Sequence, residues 1–182
     1  MTLAEVDGAL LARIQATAGR VLVAITGVDG SGKTRFADRF ADRVREAARP
    51  ALRVSIDDFH NPRAVRYEKG RRSPEGFFAD SFDYRAFRDL VLDPLAPGAS
   101  GWIVPAAFDH RRDARRAPAP VQVPEDAVLV IDGIFLIRPE LAGAFDVTVM
   151  LDVPFHETFA RMAQRDGCAP DPDAADNRRY KE

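Results

Sequence analysis

Residues 25–34 read ITGVDGSGKT, in which three glycines, a lysine and a threonine directly follow an apolar run. The run before them, RVLVAIT (residues 20–26), is short and rich in β-branched side chains, which predicts a strand buried on both faces. After Lys33, apolar side chains recur at helical spacing up to Pro50, which predicts an amphipathic helix. Lysine occurs only at positions 33, 69 and 181, so composition does not explain its presence in this turn.

The glycine-rich turn has the spacing G-x-x-x-x-G-K-[ST], which is typical of a phosphate-binding loop, or P-loop. Its glycines allow successive backbone N–H groups to point into one concavity, which opens onto a helix N-terminus that favours phosphate. Lys33 is predicted to reach the β- and γ-phosphates and Thr34 to hold Mg²⁺. The plain alternative is a glycine turn that binds nothing. The residues predicted to bind the nucleotide are Gly27, Asp29, Gly30, Ser31, Gly32, Lys33, Thr34 and Arg35.

Two further apolar runs end in carboxylates. AVLVIDG (residues 127–133) predicts a second buried strand, and an aspartate at such a strand end approaches Mg²⁺ in P-loop folds, so Asp132 is predicted as a metal ligand. SIDDFH (residues 55–60) closes another strand, and strand carboxyl ends face the ligand crevice of a parallel sheet. Side-chain alternation favours Asp57 over Asp58 as a base that takes a proton from an acceptor hydroxyl. Any of these aspartates could instead cap a turn.

The order of elements predicts a single α/β domain over residues 1–182. Strand, helix and strand alternate between residues 20 and 56, which requires a parallel sheet, and residues 145–153 predict a further strand. Outside the sheet the sequence predicts an N-terminal helix (1–19), a long loop (59–80) with room for one short helix, and a helix capped by Asp83. It further predicts an antiparallel ribbon (102–108 with 119–123), a helix (154–167) and a mobile tail from residue 168.

The composition excludes several classes of function. A formal net charge of -2 provides no global basic field, so neither a nucleic acid nor a membrane is expected as a partner. Cys168 is the single cysteine, which excludes an internal disulfide and a multi-cysteine zinc site. The N-terminus lacks the basic start and apolar run of a secretion signal, so a cytoplasmic protein is expected. His60, His110 and His156 show no metal-ligand spacing.

Together these motifs resemble the uridine kinase-like branch of P-loop kinases, which includes phosphoribulokinase and bacterial pantothenate kinase. The segments that carry the resemblance are GVDGSGKT, SIDDFH, DSFDYRAF, VPAAFDHRRD, VLVIDGIFL and RMAQRD. It implies a P-loop NTPase fold of three layers, with a doubly wound parallel sheet between helices and a small antiparallel ribbon. Family members usually continue past the lid into a further helix and strand, so the family's last strand is expected to be missing here.

The resemblance also implies roles for individual residues. Asp57 matches the family's catalytic base, and Arg161 and Arg165 match the start of a lid over the nucleotide (residues 161–180), with Arg178 and Arg179 as further lid arginines. Residues 57–123 would hold the acceptor. The residues predicted to act in catalysis are Asp57, Lys33, Arg161 and Arg165. The residues predicted to line the acceptor site are Asp57, Phe59, His60, Phe82, Asp83, Phe108 and His110.

The sequence therefore predicts a kinase that uses ATP (or GTP) and Mg²⁺ to phosphorylate a small-molecule hydroxyl, with the 5′-hydroxyl of a nucleoside such as uridine or cytidine as the first choice. AAFDHRRD departs from the uridine kinase pattern, which leaves pantothenate, a sugar phosphate or another riboside open as acceptors; Arg71, Arg72 or RRDARR could bind a sugar phosphate. A nucleotide-binding regulator without turnover is the alternative from another class. Some relatives form oligomers, so a homo-oligomer is also open.

Overall fold

The computed structural model describes residues 3–181, without the side chains of residues 3, 4 and 176; residues 1, 2 and 182 of the predicted domain lie outside it. The helices are α1 (Leu3–Gln15), α2 (Lys33–Glu46), α3 (Arg63–Arg66), α4 (Pro74–Asp80), α5 (Tyr84–Phe87) and α6 (Phe155–Asp166). The strands are β1 (Val21–Gly27), β2 (Ala51–Ser55), β3 (Trp102–Ile103), β4 (Phe108–Asp109), β5 (Ala114–Arg115), β6 (Val121–Gln122), β7 (Val128–Asp132) and β8 (Val147–Leu151).

Four strands form a parallel sheet in the order β2-β7-β1-β8. Every residue of β7 is buried, as its apolar sequence predicts, whereas β8 alternates between half-buried and exposed positions because it lies at an edge of this sheet. In the register, Asp132 stands level with Ile25 of β1 and Ser55 of β2. The carboxyl ends of these three strands therefore meet at one edge, which positions the site.

Hydrophobic layers cover both faces of the sheet, so the predicted three-layer α/β fold is confirmed. On one face α1 and α2 pack side chains such as Ile14, Phe36 and Phe40 against β1 and β7. On the other face the chain after β2 packs Phe59 and Phe87 against residues of β7. The apolar stripe of α2 is fully buried because its spacing follows the helical repeat.

The predicted antiparallel ribbon is present as two short pairs. Trp102 pairs with Gln122, and Phe108 pairs with Arg115, so the ribbon continues into the arginine-rich tip. The tip is held by Asp109, whose carboxylate accepts hydrogen bonds from the backbone N–H groups of Arg111 and Arg112. This tight turn lets the tip fold back toward the sheet edge.

Three local expectations differ from the structure. The long loop contains two short helices, α3 and α4. The helix after β2 begins at once, because Ile56–Phe59 form a 3₁₀ turn rather than a continuation of the strand. The predicted mobile tail forms a 3₁₀ helix over Ala175–Tyr180, in which buried Asn177 donates hydrogen bonds to the carbonyls of Ala169 and Asp171.

The helix predicted after Asp83 is present but irregular. Asp83 accepts a hydrogen bond from the N–H of Ala86 and so caps α5, as the sequence predicts. After α5 the helix continues as a wider π-helical turn over Arg88–Leu92 and then as a tighter 3₁₀ turn over Asp93–Leu95. Within residues 3–181, no helix is long and apolar enough to cross a lipid bilayer.

Candidate functional site: a phosphate loop beside an acceptor cavity

The P-loop connects β1 to α2 through a run of glycines with positive φ. Gly27, Gly30 and Gly32 have φ angles of 149°, 76° and 91°, values that residues with a Cβ rarely adopt. Lys33 begins α2, and its ammonium donates a 2.8 Å hydrogen bond to the carbonyl of Val28, so its side chain folds back over the loop. Burial lowers the pKa of Lys33, and the neighbouring carboxylates of Asp29, Asp57 and Asp132 oppose that shift.

The carboxylate of Asp29 projects from the loop itself. Its Oδ1 lies 4.0 Å from Lys33 Nζ, and Asp29 lines both a pocket of about 720 Å³ at the P-loop and a smaller cavity of about 260 Å³. Burial raises the pKa of Asp29, while Lys33 lowers it. The sequence placed Asp29 only among nucleotide-binding residues, because motif spacing does not show which way a loop side chain turns.

Helix α6 packs directly on the P-loop. A Cβ added to Gly30 would lie 2.5 Å from the carbonyl oxygen of Thr158 and 3.0 Å from Met162 Cγ. On the same helix, Arg161 Nη1 donates a 3.3 Å hydrogen bond to the carbonyl of Gly30 and Nη2 pairs with Glu157. Arg165 forms an ion pair with Asp166. The two predicted lid arginines therefore both lie on the helix that contacts the loop.

Two oxygen donors suited to Mg²⁺ lie together at the end of β7. Thr34 Oγ1 donates a 2.7 Å hydrogen bond to Asp132 Oδ2, and Asp132 is only 2% exposed. Hydroxyl and carboxylate oxygens are hard ligands of the kind that Mg²⁺ prefers, so these residues fit the metal that the sequence predicts. Arg53 of β2 also reaches Asp132, with 2.7 Å between Nη2 and Oδ1. Sequence reasoning missed Arg53, because a single arginine in a strand carries no motif.

Asp57 and Asp58 follow β2 but point in different directions. Asp57 lines the space beside the P-loop, whereas Asp58 Oδ1 forms an ion pair with Arg116 Nη1 at 2.6 Å. The strand alternation behind the choice of Asp57 does not hold, because both residues lie in the 3₁₀ turn. Burial raises the pKa of Asp57, the charge of Asp132 raises it further, and His110 and Lys33 lower it. Its role as a base stays a prediction.

The ends of β2 and β7 are in close contact at Gly133. A Cβ built on Gly133 would lie 2.0 Å from Ile56 Cγ2, and Ile56 is fully buried. Gly133 directly follows Asp132 and Ile56 directly precedes Asp57, so this contact joins the backbone next to both carboxylates. Glycine at position 133 is therefore needed for space rather than for an unusual φ.

The P-loop side of the site is a pocket of about 720 Å³. Eleven of its residues are basic, acidic or hydroxylated, or are histidine, which suits a polyphosphate with its cation. The pocket is lined by Asp29, Gly30, Gly32, Lys33, Thr34, Arg35, Asp57, His110, Arg111, Asp132, Gly133, Ile134, Arg161, Arg165 and Asp166. The structure thus brings Lys33, Thr34, Asp57, Asp132 and both lid arginines to one pocket. It does not place Ser31 in the lining; that hydroxyl is buried without a hydrogen-bond partner.

A smaller cavity of about 260 Å³ adjoins this pocket. Its walls come from the segment after β2, the long loop, the ribbon tip and the tail. The lining residues are Asp29, Asp57, His60, Arg66, Tyr67, Gly70, Arg71, Ser73, Phe77, Ser81, Phe82, His110, Ile134, Arg179 and Tyr180. Asp29, Asp57, His110 and Ile134 are shared with the P-loop pocket, so the two spaces meet at these side chains.

The rings of two histidines and a phenylalanine line the cavity in contact with one another. The ring of His60 lies between those of Phe82 and His110, with centroid distances of 4.5 and 4.6 Å. Its Nδ1 is 2.7 Å from the backbone carbonyl of Asp57, which fixes the orientation of the imidazole. Burial lowers the pKa of His60 to about 4, so the ring is neutral near pH 7.

Three residues predicted to line the acceptor site lie elsewhere. Phe59 is fully buried and packs edge-on against Phe87 in the core, with 5.2 Å between centroids. Phe108 is also buried, at its pairing with Arg115 in the ribbon, and Asp83 is exposed and caps α5. Of the predicted acceptor residues, the cavity contains Asp57, His60, Phe82 and His110.

The tail supplies two residues of the smaller cavity: Tyr180, which the sequence did not indicate, and Arg179, which the resemblance implied as a lid arginine over the nucleotide. The ring of Tyr180 packs edge-on against Phe77 of α4 and against Phe159 of α6, at 5.1 and 6.1 Å between centroids. Arg179 Nη1 donates a 2.9 Å hydrogen bond to the carbonyl of Arg71. The tail, predicted as part of a lid over the nucleotide, therefore lines the smaller cavity and not the P-loop pocket. The length of the loop at residues 59–80 indicated that this loop is functional, but nothing in the sequence indicated its contact with the tail.

The sequence matches the "Phosphoribulokinase / Uridine kinase family" over residues 22–169. The chain belongs to this family. The match spans the P-loop, both carboxylate-bearing strand ends and α6, which are the parts that form the P-loop pocket.

Two solved structures are similar over most of the chain. One, described as a possible uridine kinase from Bacillus stearothermophilus, is 28% identical with a TM-score of 0.73, covering 88% of this chain and 87% of that one. The other, from Silicibacter sp. TM1040, is assigned provisionally as a fructose transport system kinase; it is 30% identical with a TM-score of 0.75, covering 98% and 88%. The family and these neighbours support a small-molecule kinase with a nucleotide-binding P-loop.

Proposed function

We propose that this protein transfers the γ-phosphoryl group of ATP to a hydroxyl of a small acceptor, with the 5′-hydroxyl of a nucleoside such as uridine or cytidine as the preferred substrate. The observation that carries the proposal is the position of Asp57, whose side chain lines both the P-loop pocket and the adjoining cavity. A base must lie between the two substrates, because it takes the proton of the hydroxyl that attacks the γ-phosphate.

Each part of the P-loop pocket has a task in this reaction. Lys33 and the loop N–H groups would bind the phosphates, and Thr34 with Asp132 would hold Mg²⁺, which neutralises charge on the β- and γ-phosphates when bound. Arg161 and Arg165 would stabilise the charge on the transferring group, since phosphoryl transfer depends largely on positioning and electrostatics. A raised pKa brings Asp57 closer to the operating pH of a general base.

The cavity favours a ring-bearing acceptor. The rings of Phe82, His60 and His110 lie along one side of it, and aromatic faces stack on flat bases. The structure described as a possible uridine kinase supports the same choice at 28% identity. A cytoplasmic location, and a homo-oligomer, stay predictions.

An anionic acceptor, such as a sugar phosphate, is the second candidate. Arg71 and Arg179 line the cavity, and neither forms an ion pair with any carboxylate whose side chain the structure describes. Guanidinium groups bind phosphate and carboxylate oxygens through paired hydrogen bonds. Arg71 and Arg179 could therefore hold an anionic group while the hydroxyl lies at Asp57.

The test is ADP release by the purified protein with Mg²⁺-ATP, with nucleosides, pantothenate and sugar phosphates as acceptors and Lys33→Ala as the blank. Stimulation by uridine or cytidine that disappears in the blank would support the nucleoside. Stimulation by a sugar phosphate that Arg71→Ala or Arg179→Ala abolishes would replace the substrate and keep the chemistry. If no acceptor stimulates while ATP still binds, the regulator without turnover becomes the better hypothesis.

A further inference from the structure

The carboxylate of Asp132 is engaged on both of its oxygens. Oδ2 accepts the hydrogen bond of the Thr34 hydroxyl and Oδ1 that of Arg53 Nη2, each at 2.7 Å. The first contact joins the two residues predicted to hold Mg²⁺. The second comes from a strand that carries no residue of the P-loop motif.

Arg53 lies within a chain of contacts that joins three elements. It stands on β2, two residues before Ser55, which is level with Asp132, and its other terminal nitrogen pairs with Asp38 of α2 at 2.8 Å. Thr34 is in the first turn of the same helix. The guanidinium therefore connects the strand that leads to Asp57, the strand that ends at Asp132 and the helix that begins at the P-loop.

Stability alone explains this arrangement poorly. The Arg53 side chain is 18% exposed and that of Asp132 is 2% exposed, and such buried pairs often stabilise a fold no more than apolar residues would. Arg53 Nε is also buried without a hydrogen-bond partner, which opposes stability further. A function at the metal site accounts for an arginine that is held at this cost.

We propose that Arg53 is a positioning residue for Mg²⁺: it fixes the Asp132 carboxylate so that the Thr34 hydroxyl proton points to Asp132 and the free lone pairs of both residues face the phosphates. Groups that orient a metal ligand in this way typically contribute about 10- to 100-fold to metal affinity. This inference rests on the metal role that the proposed function gives to Thr34 and Asp132.

The experiment measures ADP affinity by calorimetry with Mg²⁺ and with EDTA, so it needs no acceptor. For Arg53→Met we expect the ADP affinity in EDTA to be unchanged. The factor by which Mg²⁺ raises the ADP affinity should fall by about 10-fold or more. Arg53→Lys should lie between this variant and the wild type, because lysine keeps the charge but offers no planar fork. Asp38→Ala is the matched control; it removes the other partner of Arg53 and leaves the contact with Asp132.

Two results would overturn the inference. One is that Arg53→Met keeps the full gain in ADP affinity that Mg²⁺ provides, while Asp132→Asn loses that gain. The other, decisive if Arg53→Met does not fold, is Arg53→Lys with the full wild-type gain. A wild type whose ADP affinity is the same with and without Mg²⁺ would instead refute the metal site of the proposed function, so the two failures are distinguishable. Thermal melting of each variant shows whether it is folded.

Discussion

Gly30 of the P-loop and Thr158 of α6 are in contact at a point where only glycine fits, because a Cβ would lie 2.5 Å from the Thr158 carbonyl oxygen. Gly30→Ala adds this overlap to a strained φ of 76°. We expect it to destabilise the protein by about 1–3 kcal/mol and to weaken ADP binding. Urea unfolding and ADP titration measure the two effects.

The control for that substitution is Gly8→Ala. Gly8 lies within α1, and a Cβ there would meet no atom within 4 Å. Alanine is a better helix former than glycine, so stability should stay equal or rise by about 0.5–1 kcal/mol. Wild-type stability and ADP affinity in Gly30→Ala would mean that α6 does not rest on the loop in solution.

Asp57→Asn should lower kcat by about 10²- to 10⁴-fold, the usual contribution of a general base, with little change in ATP affinity. Asp58→Asn is the matched control, because Asp58 pairs with Arg116 and lines neither the P-loop pocket nor the acceptor cavity. Steady-state ADP release and ATP titration separate the two quantities. Equal losses in both variants would argue against Asp57 as the base.

The pH dependence of kcat/KM should report Asp57. A base acts in its ionised form, and burial raises the pKa of Asp57 above the ordinary 3.8. Activity should therefore fall, as the pH is lowered, at a higher pH than for an ordinary aspartate. A profile that is flat down to the pH of unfolding would contradict this prediction.

The P-loop pocket could be predicted from the sequence because its determinants are local. Spacing alone placed Lys33 and Thr34, and strand-end logic placed Asp132. The acceptor side depends on packing between distant segments. Phe59 lies in the core instead of the cavity, because a motif match does not show which way a side chain turns within the 3₁₀ turn over Ile56–Phe59.

The contribution of the tail could not be predicted for a related reason. Tyr180 lines the acceptor cavity because it packs against Phe77, more than a hundred residues earlier in the chain. A segment rich in proline and aspartate shows no periodicity that would indicate such a contact. Its order comes from the internal hydrogen bonds of Asn177 and from these aromatic contacts.

Stability should fall as the pH drops from about 6.5 to about 4, in part because of His60. The folded protein holds the His60 pKa at about 4, whereas the unfolded chain takes up the proton near 6.5. The unfolded state therefore binds more protons in this window, and protonation favours unfolding. His60→Gln should show a shallower decline in the urea midpoint. The exposed His156 supplies the control substitution, and parallel curves for wild type and His60→Gln would refute the prediction.

Tyr180→Ala should raise the KM for the acceptor by about two- to tenfold, which corresponds to the roughly 0.5–1.5 kcal/mol of one aromatic pair. The KM for ATP should change little, because Tyr180 does not line the P-loop pocket. Lys181→Ala, which removes the ion pair with Asp173 in the same tail, is the control. A rise in both KM values would mean that the tail acts on the nucleotide instead.

The contact between Gly133 and Ile56 has a consequence for the choice of substrate. Because a single added carbon would overlap a buried side chain there, the strand ends that carry Asp132 and Asp57 are packed too closely to move apart. Under the proposed function, acceptors of different size are therefore accommodated on the opposite side, where residues 63–80 and 175–180 meet. New specificities can arise in those two segments while the chemistry stays in place.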